Sequence, residues 1–355
     1  IYLTQTFQII KSIIVRMKQF ARIIFALVAL GISGMANGQP PRGPMAFSPQ
    51  INADKTVTFR YYSPTATDVK ISAQFLKGTS ALTKDASGMW SVTLGPVKPD
   101  IYPYNFIVDG ISVMDPANED FFPNERFKGS LLDVPGETPL IHAMQNVPHG
   151  TVNYEYYPSA EGTTGSLVVY TPPGYSKNKQ YPVLYLLHGI GGDEKEWLSH
   201  GQPQVILGNL YADKKVVPMI VVLPNERAMK DDRAIGNIME APKVEAFATF
   251  EKDLLNDLIP FIQKTYPVLK NQENRGLAGL SMGGGQSLNF GLENLDTFAW
   301  VGGFSSAPNT KAPEVLVPNP DEAKKKLKLL WISCGDKDGL LNFSKRTHDY
   351  LAKNQ

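Results

Sequence analysis

The sequence predicts an α/β protein in two parts: a small all-β sandwich, then a doubly wound, mostly parallel sheet covered by helices. Two observations predict it. Between about residues 45 and 135 apolar and polar residues alternate with period two, as half-buried antiparallel strands require. Beyond about residue 160 the apolar residues gather into short continuous runs separated by helical periods, the pattern of parallel strands covered on both faces.

Composition narrows the function classes. The 355 residues carry 35 Lys+Arg against 34 Asp+Glu, a formal net charge of +1, so no overall field recruits nucleic acid or an anionic membrane. A single cysteine, Cys334, excludes an internal disulfide framework and a thiolate-rich metal site. Stability therefore rests on packing, and any ligand is recognised locally.

Residues 1–38 read as upstream sequence and a signal peptide. Lys18 and Arg22 follow Met17, an apolar run spans residues 23–30, and Ala36 and Gly38 precede Gln39. The run is shorter than the roughly 20 residues of a membrane-spanning helix. The expectation is a secreted or periplasmic protein that starts near Gln39 and leaves the membrane after cleavage. Residues 1–16 read as translated upstream sequence.

The sandwich is expected over 45–135. Val57, Phe59 and Tyr61 share one face of a strand, and Val69, Ile71, Ala73 and Phe75 repeat the pattern. Trp90, Val92 and Leu94 follow, then Tyr104, Phe106 and Val108, with Gly, Pro or Asp turns between them. The stretch Gly88-Met89-Trp90, followed by Tyr102, Tyr104, Phe106, Val108, Asp109 and Gly110, resembles carbohydrate-binding module family 48, an immunoglobulin-like fold. Alternation buries half of such aromatics, so a core and domain-interface role is preferred to sugar binding. Residues 136–160, with Pro139, Pro148 and Pro158 among polar residues, read as an irregular linker.

The second domain is expected over 161–355. Strands are predicted at residues 183–187, 219–223, 277–280 and 329–332. Phe247, Phe250, Leu254, Leu258 and Phe261 recur at spacings of three and four, a helical stripe that can cover a sheet.

The chemistry centres on Gly279-Leu280-Ser281-Met282-Gly283, where an apolar strand meets a helix predicted to begin near Gly284. Glycines on both sides let the turn close while the serine projects at the helix N-terminus. A serine hydroxyl needs a positioned base, and its tetrahedral product needs backbone donors. Met282 N–H is one expected donor. The second is placed at Ile190, within Leu186-Leu187-His188-Gly189-Ile190-Gly191-Gly192, a strand running into a glycine-rich loop. His188 precedes the nucleophile, whereas this fold orders its triad serine, acid, histidine, so His188 reads as structural. Downstream, Gly335-Asp336-Lys337-Asp338-Gly339 leaves a strand. Asp338, deeper in the loop, is the predicted acid, and Asp336 the residue shaping the turn. Cys334 reads as an inert small hydrophobe. Trp197, shortly after the glycine-rich loop, either stacks on a sugar or aromatic acyl group or packs the loop; His200 carries the same two readings.

Together His188-Gly189-Ile190-Gly191-Gly192, Gly279-Leu280-Ser281-Met282-Gly283-Gly284 and the loop around Asp338 resemble the esterase D superfamily, in particular carbohydrate esterase family 1. The resemblance implies an α/β-hydrolase fold and a serine esterase. It further implies an arabinoxylan partner in the plant cell wall, cleaved at a feruloyl or acetyl ester. Serine acyl transfer calls for no metal or organic cofactor. A siderophore esterase of the same superfamily is the enzymatic rival, and a carbohydrate-binding scaffold with an inactive hydrolase domain the non-enzymatic one. Arg227, Lys230 and Arg233 suit a polyanionic catecholate, but Glu226, Asp231 and Asp232 neutralise that stretch.

The base is the departure from the family pattern. His348 is the only histidine after Asp338, and Phe343, Thr347, Tyr350 and Leu351 place it in a helix rather than on a loop. The expectation is that the base, a last strand and a helix lie beyond Gln355. It follows that this fragment is nearly inactive and leaves a sheet edge exposed.

Overall fold

The computed structural model describes residues 44–160, 164–229, 237 and 240–353. The predicted signal peptide, and Lys230, Asp231, Asp232 and Arg233, lie outside the described residues.

The N-terminal part forms two antiparallel sheets around one core. Strands β1 (Gln50–Ile51), β2 (Val57–Tyr62), β3 (Val69–Ala73), β4 (Thr79–Ala81), β5 (Thr83–Lys84) and β6 (Met89–Leu94) are joined by short turns. They continue into β7 (Asp100–Val108), β8 (Ile111–Val113), β9 (Phe121–Phe122) and β10 (Gly129–Val134). One sheet runs β1-β2-β6-β5 and the other β4-β3-β7-β10-β9, with β8 paired to β7. Val57, Phe59, Val69, Ile71, Trp90, Tyr104 and Phe106 fill the space between them, so the alternating aromatics form the core. Tyr104 crosses Phe59 edge to face at 5.0 Å and its hydroxyl donates to buried Asp115 at 2.8 Å.

The larger sheet follows as β11 (Thr151–Pro158), β12 (Thr164–Thr171), β13 (Val183–Leu187), β14 (Ile220–Pro224), β15 (Arg275–Leu280), β16 (Trp300–Phe304) and β17 (Leu329–Ser333). Its order is β11-β12-β14-β13-β15-β16-β17. The β11–β12 and β12–β14 pairs are antiparallel, and the strands from β14 through β13 to β17 run parallel. The mostly parallel, doubly wound sheet agrees with the fold class expected. β17 lies at one edge, with Leu329 and Trp331 exposed.

The linker is shorter than predicted. Residues 151–158, assigned to the connector, form β11 in full register with β12. The error has a physical cause: an edge strand with Tyr154 and Tyr156 exposed shows little apolar pattern, and Pro158 closes it. Tyr157 alone is fully buried, its hydroxyl donating to buried Asp253.

Helices α1 (Glu196–His200), α2 (Pro203–Ala212), α3 (Ala241–Asp253), α4 (Ile259–Thr265), α5 (Met282–Glu293), α6 (Pro313–Leu316), α7 (Pro320–Lys326) and α8 (Leu341–Lys353) complete the domain. The predicted stripe runs through α3 and α4, with Phe247, Phe250, Leu254 and Leu258 buried. Between the two helices, Leu254–Leu258 widens into a π-helical turn. Pro260 has no N–H to offer the preceding turn, and the widened turn absorbs that defect. The helix predicted near Gly284 begins at Met282, because the turn at Ser281 is tighter than its glycine run suggests.

Phe250 has no exposed surface and packs in the main core. Replacing it with alanine should cost about 3–5 kcal/mol, read as a lower denaturant midpoint with an unchanged slope.

Candidate active site

Five parallel strands end side by side, and the carboxyl ends of β13, β15 and β17 carry the predicted chemistry. β15 runs into Ser281, which adopts φ 58 and ψ −114, a conformation rarely open to a residue with a Cβ. Neighbouring backbone holds it there. Ser281 N–H donates to Phe304 O at 2.9 Å, and Ser281 O accepts from Ala307 N–H at 2.9 Å and Gly285 N–H at 3.0 Å. Gly283 N–H donates to His188 O at 3.0 Å, tying the start of α5 to the end of β13. A Cβ at Gly283 would collide with that same carbonyl, and one at Gly279 with Gly283 O. Glycine is required at both positions by close approach.

The glycine-rich loop lies against this turn: a Cβ built on Gly189 would sit 3.5 Å from Ser281 Cβ. A trans peptide points its C=O and N–H in opposite directions. Gly189 O accepts from His188 Nδ1 at 2.7 Å and from Gly192 N–H at 3.1 Å. Those two bonds hold the carbonyl inward and turn Ile190 N–H outward. Neither Ile190 N–H nor Met282 N–H donates to a protein acceptor among the described residues. The loop and the helix thus present two unused donors beside Ser281.

His188 is fully buried, and burial lowers its imidazole to about 4, so it is neutral near pH 7 with the proton on Nδ1. Glu226 Oε1 lies 3.5 Å from Nδ1. Burial raises Glu226 well above the usual carboxylate range, with the charge of Glu196 adding to the effect. Burial disfavours the charged form of both groups, so the contact is not an ordinary ion pair. Glu196 is raised to about 7 by burial, against the hydrogen bonds from Asn124 and Gly189.

Asp338 follows β17, two strands from Ser281. Leu340 N–H donates to its Oδ1 at 2.9 Å and holds the carboxyl below the ordinary range, with smaller contributions from Ser305 and Cys334. Asp336 is exposed, whereas Asp338 is half-buried. Ser305 connects the two strand ends: it follows Phe304, which accepts from Ser281, and its own N–H donates to Ser333 O at 2.7 Å.

Other sequence candidates fall elsewhere. Trp197 donates its indole N–H to Leu187 O at 2.8 Å and meets Phe304 edge-on, contacts that pack it against the end of β13. His200 stacks edge-on against Phe122 at 4.9 Å. His348 is exposed on α8 and faces Asp349 at 3.4 Å. All five histidines lie among the described residues, and none hydrogen-bonds Ser281. Glu196, Glu226 and Asn124 join the site only in the folded chain. Their contacts to the loop are long-range, and no local spacing announces them.

Comparison with known proteins identifies the family. The Esterase family model matches residues 161–346. The chain belongs to the Esterase family. It is 31% identical over 299 residues to the endo-1,4-beta-xylanase/feruloyl esterase of Xylanibacter ruminicola, covering 82% of this chain and 39% of that relative. Among solved structures it is similar to a CE1 ferulic acid esterase from Anaeromyces mucronatus in complex with ferulic acid. That match has TM-score 0.52 and 27% identity, over 59% of this chain and 82% of that one. The enterobactin esterase of Shigella flexneri has the same fold, with TM-score 0.62 over 84% of this chain and 86% of that one, at 16% identity. The esterase-family domain is an α/β-hydrolase.

The buried acids give a pH signature with a defined sign. Glu196 has a folded pKa of about 7, above its unfolded value, so its contribution is full below about pH 4.5 and lost as pH rises through 7. His188, lowered to about 4, acts oppositely: its contribution is lost as pH falls from about 6.5 to about 4. E196Q should therefore gain on the parent from about pH 5 to about pH 8, by up to about 3 kcal/mol in chemical denaturation.

Proposed function

We propose that the protein is a secreted or periplasmic serine carboxylic-ester hydrolase that releases feruloyl groups from arabinoxylan through an acyl-enzyme on Ser281. The observation that carries this reading is the strained Ser281 backbone with the free N–H groups of Ile190 and Met282 beside it.

In this mechanism Ser281 Oγ attacks the ester carbonyl as a base removes its proton, and the carbonyl oxygen becomes an oxyanion received by Ile190 and Met282 N–H. Collapse breaks the bond to the sugar oxygen, which leaves with the proton. Water then attacks the acyl-enzyme by the same steps and releases the hydroxycinnamic acid. Asp338 would orient the base. None of the five histidines hydrogen-bonds Ser281, so none of them is assigned as that base.

The similarities to a xylanase/feruloyl esterase and to a ferulic acid esterase support the hydroxycinnamate substrate. An acetyl group on xylan remains the close alternative. The charge of the cleft beside the glycine-rich loop favours a neutral ester over a catecholate triester. It is lined by Lys128 and Arg227 with Glu125, Asp193 and Glu194, and Arg227 is paired with Glu125. A family 48-like, immunoglobulin-like identity for the front unit is supported by its two antiparallel sheets. Its buried Trp90, Tyr104 and Phe106 favour a core role for those aromatics. The glycine-held turn at Ser281 argues against a binding scaffold that has lost its chemistry.

Hydrolysis of methyl ferulate, acetylated xylan and a catecholate triester by the full-length protein should rank methyl ferulate first. S281A should lower kcat by about 10⁴-fold or more, D338N should lower kcat with little change in KM, and H348A should leave turnover unchanged. A preference for the triester, or hydrolysis that survives S281A, would overturn the reading.

A further inference from the structure

Ile190 is fixed from two sides by different parts of the chain. The peptide before it is held by His188 and Gly192 through Gly189 O. The peptide after it is held from the N-terminal β unit: Asn124 Nδ2 donates to Ile190 O at 3.0 Å. One residue on, Glu125 N–H donates to Gly191 O at 2.6 Å.

Asn124 is built for this contact. It is buried, and its Oδ1 accepts from Arg126 N–H and Phe127 N–H, both at 2.9 Å. Those bonds orient the amide so that both Nδ2 protons face the second domain, one toward Ile190 O and one toward Glu196 Oε2 at 3.2 Å. Gly191 adopts φ +81, and a Cβ there would lie 2.6 Å from Asn124 Oδ1. The segment is anchored on both flanks, by Phe122 against His200 and by the Glu125–Arg227 ion pair.

We propose that residues 122–125 of the β unit brace the oxyanion loop, and that Asn124 is a positioning residue for ester hydrolysis acting through Ile190. The proposal rests on the esterase reading of Ser281. Without Asn124, the peptide between Ile190 and Gly191 keeps no side-chain partner from the front unit, and the glycine at 191 lets it rotate. Ile190 N–H is then held from one side only, through Gly189 O, and its aim at charge that develops in the transition state loosens. Ground-state binding of the ester does not depend on that direction, so the effect falls on kcat.

The test uses the full-length protein and p-nitrophenyl acetate, an ester that makes no demand on the acyl pocket. N124A removes the amide. N124D retains the acceptor that shapes its own turn but sets a carboxylate oxygen against Ile190 O and Glu196 in place of the donor, so the charge-free N124A reads positioning and N124D reads whether the turn still folds. Both variants should lose about tenfold or more in kcat with KM within about threefold of the parent. Their affinity for phenylboronic acid, which forms a tetrahedral adduct on the serine, should fall in parallel, while affinity for product acid holds. Turnover within about twofold of the parent in N124A, or equal loss of boronate and product affinity, would overturn the brace. S281A runs alongside: hydrolysis that survives it overturns the esterase reading itself, whereas its loss with N124A fully active overturns the brace alone.

Discussion

The backbone of Ser281 is the constraint from which the site follows. A side-chain-bearing residue at φ 58, ψ −114 costs about 1–3 kcal/mol and persists only where the surroundings over-determine it. Here hydrogen bonds from three directions meet at one residue: β16 accepts its N–H, while α5 and the segment after β16 donate to its carbonyl. Closing the turn so tightly leaves no room at positions 279 and 283 for anything but glycine. The same tightness brings Gly283 N–H onto His188 O, which carries the glycine-rich loop with it.

Peptide planarity extends that order outward. Because each carbonyl opposes the N–H of its own peptide, anchoring Gly189 O inward sets the direction of Ile190 N–H. The anchor is a histidine, and burial matters to it: a neutral imidazole with the proton on Nδ1 donates to the carbonyl without placing a cation behind the loop. A solvated histidine of ordinary pKa would do this less reliably, since its tautomer and charge would vary across the neutral range.

The parts of this site legible in the sequence are those written locally. Glycine spacing around Ser281 and His188 encodes close approach within a few residues, and β13 and β17 are continuous apolar runs. β16 is hidden because Gly302 and Gly303 interrupt its apolar run, and β11 because its exposed edge position dilutes the pattern. Asn124 is less legible still. Its neighbours mark only a turn, and its partner Ile190 is 66 residues away, a contact that only the packed chain reveals.

Two buried carboxyls beside the proposed oxyanion site present an electrostatic problem that their environment resolves. An ionised Glu196 or Glu226 near the developing negative charge would oppose it by a few kcal/mol in a poorly screened interior. Glu226 has no exposed surface, and burial raises its carboxyl and favours the neutral form, which adds no charge. Glu196 is different, because it accepts from Gly189 N–H and Asn124 and is raised only to about 7. It is poised to ionise as pH climbs past neutrality. Its negative charge would then tighten its grip on Gly189 N–H while raising the cost of forming an oxyanion nearby. Loop order and transition-state electrostatics pull in opposite directions at this carboxyl, and the neutral amide of Asn124, which donates without adding charge, steadies the loop while leaving the oxyanion field untouched.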